Sequence, residues 1–182
     1  MLKKYGKTVL SRLRLLSNRN KFVLGLVYIN RQSDLVRLFD RRYGTDLYAL
    51  FCAYIREGLA AWTQEKALCI DIEAILSATP DADDYSAIEC TYVQNALISL
   101  YYLFDFYSKG DDTIEMALNM VLENIDIIAY SVDKQYDEEK VFASEEAVMN
   151  SIMDKIEHNT DTVHHWIENE DKIMAPSEFR YA

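Results

Sequence analysis

Only five glycines and two prolines interrupt this chain of 182 residues. A β-sandwich or barrel needs a turn signal every ten residues or so, and Gly and Pro supply most of those signals. So scarce a supply favours long helices. Half of the side chains are hydrophobic and 12% are aromatic, enough to bury a sizeable core and to exclude disorder. The expectation is an all-α fold, one compact bundle of about seven helices, formed as a single domain over residues 1–182 with a loosely held tail over about 172–182.

Apolar periodicity places the helices. The first, over about 3–17, carries Tyr5, Val9, Leu13 and Leu16 on one face, with Lys3, Lys4, Lys7, Arg12 and Arg14 on the rest. This basic start has neither the continuous apolar stretch nor the small-residue cleavage site of a targeting peptide, so it reads as part of the fold. A second helix, about 20–31, is apolar nearly all round from Phe22 to Ile29 and should be central, with Gly25 allowing close approach. Ser33 is the expected cap of a short helix that bears Leu35, Leu38 and Phe39 and stops at Gly44. Thr45 is the expected cap of the next, in which Leu47, Phe51, Tyr54, Gly58 and Trp62 recur every three to four residues. A shorter segment over 66–77 carries Leu68, Ile72 and Ile75.

Three aspartates, Asp81, Asp83 and Asp84, precede a long aromatic run. A calcium loop beginning at Asp81 would need Gly at its sixth position and Glu at its twelfth, where Ser86 and Tyr92 stand instead. Ser86 and Glu89 have the spacing of a capping box, so the acidic knot is expected to start a helix over 86–107, the most buried of the fold. Asp112 and Glu115 repeat that spacing ahead of a helix over 112–134. There Ile114, Leu118, Val121, Ile125, Ile128 and Val132 form the seam of an antiparallel helix pair. An acidic connection, DKQYDEEKVFASEE, then leads to a last helix capped by Ser144 and carrying Val148, Ile152, Ile156, Val163 and Ile167.

The segments RLRLLSNRNKFVLGLVYINR, Pro80-x-Ala82-Asp83-Asp84-Tyr85 and YSKGDDTIEMAL, together with the small and aromatic residues between them, carry a resemblance. Over roughly residues 8–132 the chain resembles the YjaG-like bacterial proteins, a family of unknown function. That resemblance implies a compact all-helical fold in a bacterial cytosol and no particular reaction.

Chemistry is hard to find. Cys52, Cys69 and Cys90 are odd in number and lack C-x-x-C spacing, the pattern of reduced thiols in a cytoplasmic protein. Asp154, His158, Asp161 and His165 would share one helix face, but a di-metal bundle needs Glu-x-x-His motifs on two helices, and Asp161-x-x-His164 is a single related spacing. No G-x-S-x-G, H-E-x-x-H, P-loop or dinucleotide fingerprint occurs, so neither catalytic residue, metal nor cofactor is expected. The longest apolar runs fall short of the roughly 20 residues that span a bilayer, which argues against a membrane partner.

Charge is the remaining clue. Residues 1–66 hold 13 Lys/Arg against 5 Asp/Glu, whereas residues 67–182 hold 6 against 25. Pairing within the fold leaves an acidic excess, which opposes nucleic acid in spite of the basic first helix and favours a basic protein partner. The surface expected to meet it comprises Asp133, Asp137, Glu138, Glu139, Glu145 and Glu146 as carboxylates, with Tyr136 and Phe142 as aromatic anchors. An acidic helical domain without chemistry of its own fits an immunity protein that covers the basic active site of a cognate toxin, such as a nuclease. The alternative expectation is a YjaG-like self-associating protein whose Tyr-rich helices form a homodimer interface.

Overall fold

A computed structural model of the chain describes residues 7–158, apart from positions 67, 69, 86, 87, 111 and 112. The described residues form eight α-helices and no strand: α1 Lys7–Leu15, α2 Asn18–Asn30, α3 Ser33–Tyr43, α4 Leu47–Gln64, α5 Glu73–Ala78, α6 Ile88–Lys109, α7 Ile114–Val132 and α8 Glu138–His158. The all-α expectation holds. Expectations that rest on Lys3, Lys4, Tyr5, Cys69, Ser86, Asp112, Asp161, His164, His165 or the tail fall outside the described residues.

Continuous burial of α2 sets the architecture. Every residue from Phe22 to Asn30 is buried, because α4, α6, α7 and α8 all pack against this one helix. A side chain would obstruct that packing at two glycines. A Cβ at Gly25 would lie 2.4 Å from Leu103 Cδ1 of α6, and one at Gly58 of α4 would lie 2.7 Å from Leu26 Cδ2 of α2. Side chains of neighbouring helices therefore fill the space over both glycines.

Helices α6 and α7 form the most extensive pair, and Gly110, just past the end of α6, adopts φ 74°. Leu97 and Leu100 of α6 are fully buried, as the aromatic run predicts. Along α7, Ile114, Leu118, Val121 and Ile128 are buried, but the seam fades at its end, where Val132 is exposed. Polar side chains thread this core. Asn124 Nδ2 donates to Gln32 Oε1 (2.6 Å) and to the Tyr92 carbonyl (2.8 Å), while Asn95 Nδ2 donates to Asn124 Oδ1 (2.9 Å) and Gln32 Nε2 to Ser99 Oγ (3.2 Å). Each of these amides is satisfied by a partner on another element, which is what lets it be buried.

Several expected caps are replaced by tertiary contacts. The start of α4 is held by Asp40 of α3, whose carboxylate accepts from the N–H groups of Leu47 (3.0 Å) and Tyr48 (2.7 Å) and from the Thr45 hydroxyl (2.5 Å). Thr45 is thus a donor to the cap rather than the cap. Gln32 precedes α3 without a side-chain capping bond, and Ser33 is buried in its first turn. Glu89, expected to complete a capping box, is buried and paired with Arg42 of α3. Asp81 closes a turn of its own, accepting the Asp83 N–H at 3.0 Å, so the acidic knot stands ahead of α6 as an exposed turn. Among the described residues of the segment read as a helix over 66–77, the helix is Glu73–Ala78, where Asp71 accepts the N–H groups of Glu73 and Ala74. Gly44 ends α3 in the left-handed conformation, as expected.

The basic third of the chain lies against the acidic remainder through specific pairs. Arg12 of α1 reaches Asn150, Asp154 and Glu157 on α8, Arg31 reaches Glu145, and Arg42 reaches Glu89. Asp154 thereby serves α1. Among the described residues no group of three or more His, Cys, Asp or Glu is arranged to hold a metal. Nor is any helix among them long and apolar enough to cross a membrane.

Candidate protein-binding surface

The segment expected to meet a partner is not a connection followed by a helix at Ser144. Helix α8 begins at Glu138, and Ser144 lies exposed inside it. The cap is Asp137: its Oδ1 accepts the N–H groups of Glu139 (3.1 Å) and Lys140 (3.3 Å), satisfying donors that the first turn leaves free. The Lys140 backbone bond, with smaller help from the Lys140 side chain, holds the Asp137 carboxyl below its ordinary pKa. Asp133 closes the preceding turn, accepting from the Gln135 N–H at 2.8 Å.

Starting α8 seven residues earlier turns two of the expected surface residues inward. Phe142 is only 4% exposed, and it belongs to the stripe that continues through Met149, Ile152 and Ile156 into the core. Glu145 lies on the same stripe and is 6% exposed. Its Oε2 accepts from Arg31 Nη1 at 2.6 Å and from the Tyr28 hydroxyl at 2.8 Å, and its Oε1 accepts from Arg31 Nη2 at 3.2 Å. Phe142 is therefore no exposed anchor, and Glu145 no surface charge. Both fasten α8 to the body of the bundle, in the way that a buried carboxylate requires a bidentate cation and a further donor.

The other six expected residues face outward to differing degrees. Asp133 and Glu139 are exposed, while Tyr136, Asp137, Glu138 and Glu146 are half-buried. Tyr136 is fixed by its hydroxyl, which donates to Asp126 Oδ1 of α7 at 2.5 Å. That bond, with lesser contributions from burial and neighbouring carboxylates, pushes the Tyr136 pKa up to about 12. Tyr130, near the end of α7, stands edge-on to Tyr136 with ring centroids 5.3 Å apart and is itself 72% exposed. It was not singled out in the sequence, although it lies off the α7 seam by two residues from both Ile128 and Val132. The result is an edge made by the end of α7 and the start of α8, with an exposed tyrosine beside carboxylates on both elements. Two lysines, Lys134 and Lys140, moderate its charge. A shallow concavity of about 380 Å³ at its α8 end is lined by Glu138, Glu139, Phe142 and Ala143.

No protein-family model matches this chain, and no curated protein matches it. Among solved structures, its fold is similar to that of a DUF416 family protein from Shewanella baltica OS155, over 91% of this chain and 86% of that one, with a TM-score of 0.62. The two sequences are 20% identical, so the likeness is one of fold.

Proposed function

We propose that this chain is a non-enzymatic, cytoplasmic protein-binding domain that receives a basic partner on the α7–α8 edge, and that it acts as an immunity protein against a toxin such as a nuclease. The observation that carries the reading is Tyr130, 72% exposed and edge-on to Tyr136, which itself stands beside the carboxylates of Asp126, Asp137 and Glu138. Tyrosines are favoured anchors at interfaces because a large, stiff, amphipathic ring gives up little entropy on burial. Carboxylates around such an anchor draw a basic protein from a distance and speed its docking. A nuclease collects Lys, Arg and His to hold phosphate, and an acidic edge with an aromatic centre complements such a site. Of the two anchors the sequence suggested, Phe142 is used by the core and Tyr136 stands beside Tyr130.

The test is the triple reversal D133K/E138K/E139K beside the separate Y130A, assayed for protection of cells that express the toxin encoded next to this chain. The reversal should slow association and lessen its salt dependence; Y130A should shorten the lifetime of the complex. Full protection by both variants would move the interface elsewhere.

A second reading, a YjaG-like self-associating protein, is supported by the resemblance in sequence and by the fold shared with a DUF416 family protein. Light scattering across a concentration series separates the two: self-association predicts a dimer in the absence of any partner.

A further inference from the structure

We propose that a cleft between the start of α2, the end of α4 and the end of α6 binds a small aromatic carboxylate. The cleft has a volume of about 390 Å³ and is walled by Arg19, Trp62, Glu65, Phe106 and Tyr107. That is room for a compact ligand of one ring and a short polar arm. It shares no residue with the α7–α8 edge, so it stands or falls independently of the immunity reading.

Three features give the cleft its chemistry. The first is a donor without an acceptor: Trp62 is 4% exposed, and its indole Nε1 meets no hydrogen-bond partner. An indole N–H is a donor only, so whatever completes it must bring an oxygen or another acceptor. The second is Arg19, whose guanidinium lies 5.2 Å from the Trp62 ring centroid, donates to the Trp62 carbonyl at 3.2 Å and reaches Glu65 Oε1 at 2.6 Å. Both partners of that ion pair are solvent-exposed, so the pair is weak and an incoming carboxylate competes with Glu65 for the same cation. Arg19 covers the face of the Trp62 ring, so a ligand that draws Arg19 from Glu65 changes the cover over the indole. The third is Glu65 itself. With φ 53°, it is the one non-glycine with positive φ among the described residues, at a helix end where glycine is usual. Strain retained at the residue that restrains Arg19 points to a role for that residue beyond ending α4. Phe106 and Tyr107 supply the apolar wall against which an aromatic ring rests.

The experiment follows the two indole N–H signals, of Trp62 and Trp166, in 15N-labelled protein, each assigned with its Trp→Phe variant. Phenylacetate is titrated in, with phenethylamine as the probe of the same ring and opposite charge. Phenylacetate should shift the Trp62 indole signal saturably, and phenethylamine should leave that signal in place. R19Q should weaken binding about tenfold or more through loss of a charge-assisted bond. E65Q, which frees Arg19, should tighten it about threefold. Both positions are exposed, so both variants should fold. The proposal is overturned if phenylacetate leaves the Trp62 signal unmoved, if acid and amine shift it alike, or if R19Q binds as well as the parent.

Discussion

Removing the Glu145 carboxylate should be the costliest single change on α8. In E145A, Arg31 and the Tyr28 hydroxyl lose an acceptor that currently takes three hydrogen bonds from them, at 2.6, 2.8 and 3.2 Å, inside a region where both charged partners are 6% exposed. Breaking a buried pair by deleting one member costs about 3–5 kcal/mol, because the remaining charge loses its compensation. Against a typical total of about 5–15 kcal/mol, that is a large fraction of the fold's stability. For a chain of this size it corresponds to a fall in Tm of about 6–20 °C. The exposed neighbour supplies the control: E139A should shift stability by no more than about 0.5 kcal/mol. Replacing both members of the pair, R31M/E145L, should recover much of the loss, since apolar residues of similar volume remove the cost of burying charge. Thermal and urea unfolding followed by circular dichroism measures all four proteins. An E145A variant within about 1 kcal/mol of the parent would refute the reasoning and show that this pair is solvated and dispensable. The result also bears on tests of binding, because any charge reversal that included Glu145 would loosen α8 and mimic a lost interface.

Gly25→Ala should lower the unfolding free energy, followed by the urea midpoint, by a net of about 1–2 kcal/mol, since a Cβ placed 2.4 Å from Leu103 Cδ1 forces core movement that outweighs the gain in helix propensity; an unchanged or higher midpoint would show that Leu103 yields freely. Asp40→Ala removes the acceptor for Leu47 and Tyr48 and should cost about 1 kcal/mol, part of it restored by Asp40→Asn, and equal losses in the two would contradict a capping role. For Tyr136, a difference titration at alkaline pH between parent and Y136F should reveal one tyrosine with a midpoint of about 12. Because the folded pKa lies above the unfolded one, the stabilisation is fully present below about pH 10 and disappears as pH rises through the folded value. A midpoint near the ordinary tyrosine value would mean that the Asp126 bond does not persist in solution.

What was legible in the sequence follows the physics of each element. The apolar surround of Phe22 to Ile29 and the aromatic run through Leu97 and Leu100 announce central helices, because no surface helix tolerates so wide an apolar face. Gly44 announces the end of α3 for an equally local reason. Caps were misjudged where a neighbouring helix supplies the acceptor: Thr45 reads as the local cap of α4, but Asp40 of α3 takes the N–H groups of Leu47 and Tyr48. The candidate surface failed at Phe142 and Glu145 for a related reason. A stripe through Phe142, Glu145, Met149, Ile152 and Ile156 at spacings of three and four is present in the sequence, yet its second member is charged. The contacts with Arg31, 114 residues away, and with the Tyr28 hydroxyl explain why a carboxylate occupies a core position. Tyr130 could have been found by asking which apolar residue of α7 has no place on its seam. The buried amides Gln32, Asn95 and Asn124 gave no such signal, since each looks like an ordinary polar residue until its neighbours are in place.

The most direct test of the central claim is affinity capture at low ionic strength, from the cells that encode this chain, with the parent and D133K/E138K/E139K as parallel baits. The account predicts that the parent alone retains a protein of basic net charge, that raised salt releases it, and that it is the toxin encoded beside this chain. Capture of the same proteins by both baits, or of none but further copies of the chain itself, would contradict it.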